Sequence, residues 1–132
     1  MSVNVVRMMF EEMVIPRDAG QIERFYAPSF VMTSNGVEQG YEDFAQSHRT
    51  TYATEIVYAV EYDEDAWVEQ VDDAGTGKVA GRVWITTSRP GEKPTRIEVV
   101  LIAALEDGRI TRVWETTYPN WADLAAFERY GS

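Results

Sequence analysis

The chain has 132 residues, 45% of them hydrophobic, and 22 acidic against 12 basic residues give a formal net charge of -10. That length suits one core rather than two, and the acidic balance repels phosphate backbones and anionic headgroups, so neither nucleic acid nor a membrane surface is an expected partner. With no cysteine and a single histidine, His48, disulfide frameworks, thiolate zinc sites and cysteine nucleophiles drop out, and no metal site is expected. The first residues place Glu11 and Glu12 where a secretory signal needs an apolar stretch, and the most apolar run, Val99 to Leu105, is far short of the roughly 20 residues a spanning helix needs. The expectation is one domain over residues 1–132, located in the cytoplasm.

Val6, Met9, Phe10 and Met13 recur at helical spacing opposite Arg7, Glu11 and Glu12, which predicts an amphipathic helix ending before Pro16. Asp18 is placed to cap a second short helix with Ile22, Phe25 and Tyr26 as its apolar stripe, stopped by Pro28. Residues 30–33 read as a short strand, and Asn35 and Gly36 as the turn after it, because both tolerate positive φ. Gly40 opens a third helix whose first turn holds Glu42 and Asp43, matched to the positive end of the helix dipole. Its spacing puts Tyr41, Phe44, His48 and Tyr52 near one face.

From Ile56 onward, β-branched and aromatic residues predict long strands at 56–62, 67–71, 78–87, 96–105 and 110–118, joined by turn-rich segments at 72–77, 89–94 and 106–109. Asp63 to Asp65 form either a bulge within one strand or a break between two. Asn120 is placed to cap a last helix carrying Trp121, Leu124, Ala125 and Phe127 and ended by Gly131. The fold class is α+β with a mostly antiparallel sheet. The strand at 96–105 is apolar on both sides, with Ile97, Val99, Leu101, Ala103 and Leu105 on one and Val100, Ile102 and Ala104 on the other. An antiparallel sheet with helices on one side normally has a polar outer face, so this strand demands a second cover. A second copy of the chain is the expected cover; the C-terminal helix is the competing one.

Gly75 to Lys78 do not make a Walker loop, since Asp72 stands where glycine is needed and Val79 where serine or threonine is needed. Glu61 to Asp65 lack the spaced oxygen ligands and central glycine of a calcium loop. His48 carries the one side chain suited to proton transfer near neutrality, either as a pocket base or donor or as a satisfied core group. No Gly-x-Ser-x-Gly elbow accompanies it, and Ser47 diverges from it around the helix. Trp114 and Tyr118 share a strand face with Arg112 and Thr116, and Arg82 shares one with Trp84. Such tips can line an amphipathic pocket, or form ordinary core and rim.

The order of elements carries a resemblance: a helix, a short helix ending Phe25-Tyr-Ala-Pro-Ser-Phe-Val-Met, the turn Asn35-Gly-Val-Glu-Gln-Gly40, the helix Tyr41-Glu-Asp-Phe44, then long strands with Glu106-Asp-Gly-Arg-Ile110 and Trp114-Glu. Over nearly the whole chain this resembles the SnoaL-like branch of the nuclear transport factor 2-like superfamily. The resemblance implies a cone-shaped curved mixed sheet wrapped around three N-terminal helices, with a short C-terminal helix, a deep and mainly apolar pocket, and dimers formed through sheet faces. Members include ketosteroid isomerase, polyketide cyclases and dehydratases. The isomerase's general-base aspartate falls at Thr33 or Ser34, its tyrosine donor near Met9 and its protonated aspartate at Leu101, so none is retained. The cyclase-type tryptophan falls at Trp114, but Tyr118 stands where the acid would follow.

The expected function is therefore binding of a small hydrophobic or amphipathic molecule, without cofactor or metal, in a pocket lined by Tyr41, Phe44, His48, Tyr52, Arg82, Trp84, Leu101, Trp114 and Tyr118. One alternative is an isomerase, cyclase or dehydratase using His48, Tyr118 or Arg82 for proton transfer or carbonyl polarisation; another is a protein-interaction subunit using its sheet face. The pocket so drawn holds no carboxylate, the acids being assigned to turns and helix starts such as Asp63 to Asp65, Asp72, Asp73, Glu42 and Asp43.

Overall fold

The computed structural model describes residues 5–124. The amphipathic N-terminal segment forms α1 (Val5–Met9) and continues into a π-helical turn at Phe10–Val14, closed by the Ile15 amide donating to the Phe10 carbonyl at 2.9 Å. The wider turn keeps Phe10, Met13 and Val14 on the side that Val6 and Met9 already bury. Arg17 at φ 57° redirects the chain, and Asp18 Oδ1 accepts the Gly20 amide at 3.0 Å to cap a 3-10 turn (Ala19–Gln21) that leads into α2 (Ile22–Phe25). Strand β1 (Tyr26–Ser34) begins before Pro28 and is longer than the four residues expected, because a residue preceding proline is driven out of the helical region. Asn35 and Gly36, at φ 50° and 85°, turn the chain into β2 (Val37–Gly40), and Gly40 is the N-cap of α3 (Tyr41–Tyr52).

Four long strands follow: β3 (Val57–Val71), β4 (Gly77–Ser88), β5 (Thr95–Glu106) and β6 (Arg109–Tyr118). The six strands form one sheet in the order β2-β1-β6-β5-β4-β3, with β1 and β6 parallel and every other pair antiparallel. Asp63 to Asp65 lie in a bulge inside β3, where the register against β4 shifts between Tyr62 and Trp67. A second bulge sits in β6: Ile110 faces Leu105 and Arg112 faces Ala104, so Thr111 is the extra residue. Such bulges bend and twist the strands that carry them, and the result is a cone-shaped α+β fold.

The inner face of the sheet and the helices share the core. On β5, Ile97, Val99, Leu101, Ala103 and Leu105 are at most 4% exposed, while Val100 and Ile102 on the other face are 46% and 44% exposed. The two-sided apolar pattern therefore marks a real outer patch among the described residues. At the C-terminal side, Asn120 Oδ1 accepts the Ala122 amide at 2.9 Å and caps a 3-10 turn, Trp121–Asp123, after which Leu124 is extended rather than helical. Ala125, Phe127 and Gly131, assigned to a last helix from the sequence, lie outside the described residues.

Candidate functional site

Between α1 with its π turn, α3 and the inner sheet face lies a cavity of about 70 Å³, partly open to the outside. That is room for on the order of five waters or part of a small organic molecule. Its wall is apolar and polarizable: Met9, Phe10 and Met13 from the N-terminal segment, Phe44 from α3, Met32 from β1, Leu101 from β5 and Val113 from β6. One charged side chain belongs to that wall among the described residues, Glu115 of β6.

Glu115 is positioned by pairing as much as by its own strand. It lies opposite Ser34 across the parallel β1–β6 pair and opposite Leu101 across the antiparallel β5–β6 pair. Its Oε2 accepts Ser34 Oγ at 2.7 Å and Trp121 Nε1 at 2.9 Å. Just beyond, the Asn35 side chain imitates a strand residue: Oδ1 accepts the Thr117 amide and Nδ2 donates to Thr117 Oγ1, each at 2.8 Å, while the Asn35 amide donates to the Glu115 carbonyl at 3.0 Å. Burial raises the Glu115 pKa above the ordinary carboxylate value, although both donors oppose that shift.

His48 faces the same cavity. Its Nδ1 lies 2.8 Å from the Phe44 carbonyl, which can only accept, so Nδ1 carries the hydrogen and Nε2 the lone pair. The ring lies 4.2 Å from Phe44 and 5.5 Å from Tyr52, centroid to centroid. Burial pushes its pKa down to about 4, against the opposing effect of the backbone bond, so the imidazole is neutral at pH 7. Tyr26, Tyr52 and Tyr58 add phenols whose pKa values burial also raises. The Tyr52 hydroxyl is buried without a hydrogen-bond partner among the described residues.

Of the nine residues expected at a pocket, Phe44, His48, Tyr52 and Leu101 are brought together on this wall. Tyr41 is half-buried against the core at the start of α3 and is not part of it. The other four lie on the outer sheet face. Arg82 pairs with Asp63 at 2.7 Å and Glu98 at 2.9 Å, and its guanidinium covers Trp84 at 4.7 Å. Arg96 covers the same indole, also at 4.7 Å, and Arg112 covers Trp114 at 5.1 Å. Trp114 is 39% exposed and Tyr118 76%. The bulge at Thr111 explains the outcome on β6: alternation from buried Ile110 would turn Arg112, Trp114, Thr116 and Tyr118 inward, and one inserted residue turns Val113 and Glu115 inward instead. On β4 the inward set is Val79, Gly81, Val83 and Ile85, which leaves Arg82 and Trp84 outside.

The expectation of a pocket without carboxylate is thus corrected by Glu115. Its signal was available only through pairing, as the residue facing Leu101. Leu101, where the resemblance places the isomerase's protonated aspartate, and Ser34, one of the two positions (Thr33 or Ser34) for its general base, both stand opposite Glu115. Among the described residues no group of three or more acidic or histidine side chains is arranged to hold a metal ion.

No protein-family model and no curated protein matches the chain by sequence. Solved structures do match. A SnoaL-like polyketide cyclase from Agrobacterium tumefaciens is similar at a TM-score of 0.67 and 12% identity, over 90% of this chain and 92% of that one. The fold is that of the SnoaL-like nuclear transport factor 2-like superfamily. An LEH-like epoxide hydrolase from M. tuberculosis shares the SnoaL-like cone at a TM-score of 0.70 and 15% identity, over 98% of this chain and 90% of that one. PrhC from Penicillium brasilianum does so at 0.69 and 15%, over 88% and 79%. At these identities the SnoaL-like likeness speaks for architecture, and function has to be argued from the site.

Proposed function

We propose that the chain binds a small, largely apolar molecule in this cavity and moves a proton on it with Glu115, in the manner of an isomerase, cyclase or dehydratase. The observation that carries the reading is a carboxyl group, the one among the described residues of an apolar wall, held by two donors and with its pKa raised by burial. A carboxyl tuned upward exchanges protons near neutral pH more readily than an ordinary one, and such groups concentrate at reactive sites. Neutral His48 stands on the same wall as a second group of proton-transfer type. Arg82 and Tyr118, on the outer face, take no part in this reading. The names of similar structures, a polyketide cyclase and an epoxide hydrolase, support chemistry on small molecules.

The test uses 2-indanone, a compact ketone, in heavy water. Wild-type protein is expected to accelerate exchange of the protons beside its carbonyl, followed by NMR, and Glu115→Gln to lose that acceleration. Equal rates for the two proteins would remove Glu115 from the reaction. Mass spectrometry of small molecules released on denaturing the native protein would identify the natural ligand.

A second reading concerns assembly. Val68, Val100, Ile102, Trp114 and Tyr118 are exposed on the outer face and rimmed by charges of both signs, Arg82, Arg96, Glu61 and Glu98. We infer that a second copy of the chain packs there, since a self-complementary patch suits a two-fold interface. Sedimentation is expected to show a dimer at micromolar concentration and Ile102→Glu a monomer. A wild type that sediments as a monomer refutes the dimer.

A further inference from the structure

The two oxygens of Glu115 have unlike surroundings. Oε2 accepts from Ser34 Oγ and Trp121 Nε1, whereas no donor among the described residues reaches Oε1, on a side chain that forms part of the cavity wall. An indole N–H only donates, so the oxygen facing it must accept. When the carboxyl is neutral, the oxygen taking two hydrogen bonds is the carbonyl-like one, and the hydrogen resides on the other. Ser34 is held in place for this by strand pairing, directly opposite Glu115, and the Asn35 side chain locks the same register one residue on.

The groups facing Glu115 leave that arrangement intact. Ser34 and Tyr26 come from β1, Trp121 from the 3-10 turn and Leu101 from β5; His48 and Tyr52 of α3 and Tyr58 of β3 share the cavity. None of them is cationic at neutral pH, so among the described residues nothing on the wall favours the carboxylate by charge. Burial favours the neutral group.

We propose that Ser34 is a positioning residue which, with Trp121, fixes Oε2 and leaves Oε1–H as the donor that meets the ligand, so that the ligand presents an uncharged acceptor oxygen, such as a ketone carbonyl, at that point. The inference rests on the reading that the cavity takes a small, largely apolar molecule. A ligand of this class is recognised by a donor that exists only while Glu115 is protonated, and its affinity therefore falls as pH rises. A hydrocarbon of the same shape is indifferent to that change.

The test compares 2-indanone with 2-methyleneindane, in which a methylene group replaces the carbonyl oxygen, by NMR titration from pH 5 to pH 9. Wild-type protein is expected to prefer the ketone by on the order of tenfold at low pH and to lose the preference as pH rises. Ser34→Ala removes a donor that favours the charged form, so the midpoint of that loss moves to higher pH, and Ser34→Thr restores it. Glu115→Gln keeps a donor that does not titrate and is expected to hold the preference at all pH values. An unmoved midpoint in Ser34→Ala, or equal binding of both probes at every pH, overturns this inference while leaving the apolar cavity standing as a ligand site. Binding of neither probe overturns both.

Discussion

Protonating His48 is expected to destabilise the fold by about 1–3 kcal/mol. The folded imidazole has its pKa pushed down to about 4 from an ordinary 6.5 by burial beside Phe44 and Tyr52, against the opposing effect of the Nδ1–H bond to the Phe44 carbonyl. A folded pKa below the unfolded one means that the stabilisation is complete above pH 6.5 and is lost as pH falls toward 4. With those two values the loss is about 2 kcal/mol at pH 5 and about 3 kcal/mol at pH 4, and any water admitted to the cavity lowers both. Urea unfolding of wild type and His48→Asn at pH 8 and pH 5 measures the effect. Asparagine keeps a donor for the Phe44 carbonyl but does not titrate, and the other ionisable groups are common to both proteins. Wild type should lose about 1–2 kcal/mol more than the variant between the two pH values. Equal losses, or an imidazole that titrates near its ordinary value by NMR, would refute the reasoning.

Glu115 acts in the opposite sense: its raised folded pKa makes stability complete below the ordinary carboxylate range and lost as pH rises through the folded value. Denaturation curves of Glu115→Gln should therefore be flatter over that range and the variant more stable than wild type at pH 8; a less stable variant there would contradict the assignment. Tyr52→Phe deletes a buried hydroxyl without a partner and should raise stability by up to about 1 kcal/mol in thermal unfolding, a decrease being the contrary result. A Cβ at Gly81 would stand 2.2 Å from the Trp67 ring, which is itself held edge-on to Tyr62 and beneath the Arg7 guanidinium. Gly81→Ala should cost about 1–3 kcal/mol, and an unchanged Tm would show that the indole moves freely.

Much of the architecture was legible because its signals are local. The caps at Asp18 and Asn120, the Asn35-Gly36 turn and the alternation along Ile97 to Leu105 each act over a few residues, and each is where the sequence places it. The α3 face was legible for the same reason, and it delivers Phe44, His48 and Tyr52 to the cavity. Which side of β6 turns inward is not local. Trp114 and Tyr118 look like interior residues and Glu115 like a surface one, but the parity of the strand is set by Thr111, whose hydroxyl donates to the Ala104 carbonyl on β5 at 3.3 Å. The same holds for Ser34, an unremarkable strand residue until β1 and β6 are laid side by side.

Thr111 also makes the chemistry of the cavity depend on chain length. Beyond that point β6 carries two interleaved sets of side chains, Val113 and Glu115 in one, Trp114 and Tyr118 in the other. Deleting a single residue there would exchange them, sending the carboxyl outward and an indole and a phenol inward without altering one residue of the helices that form the opposite wall. A strand of this kind holds an acidic interior and an aromatic interior in reserve together, and the bulge is the selector between them.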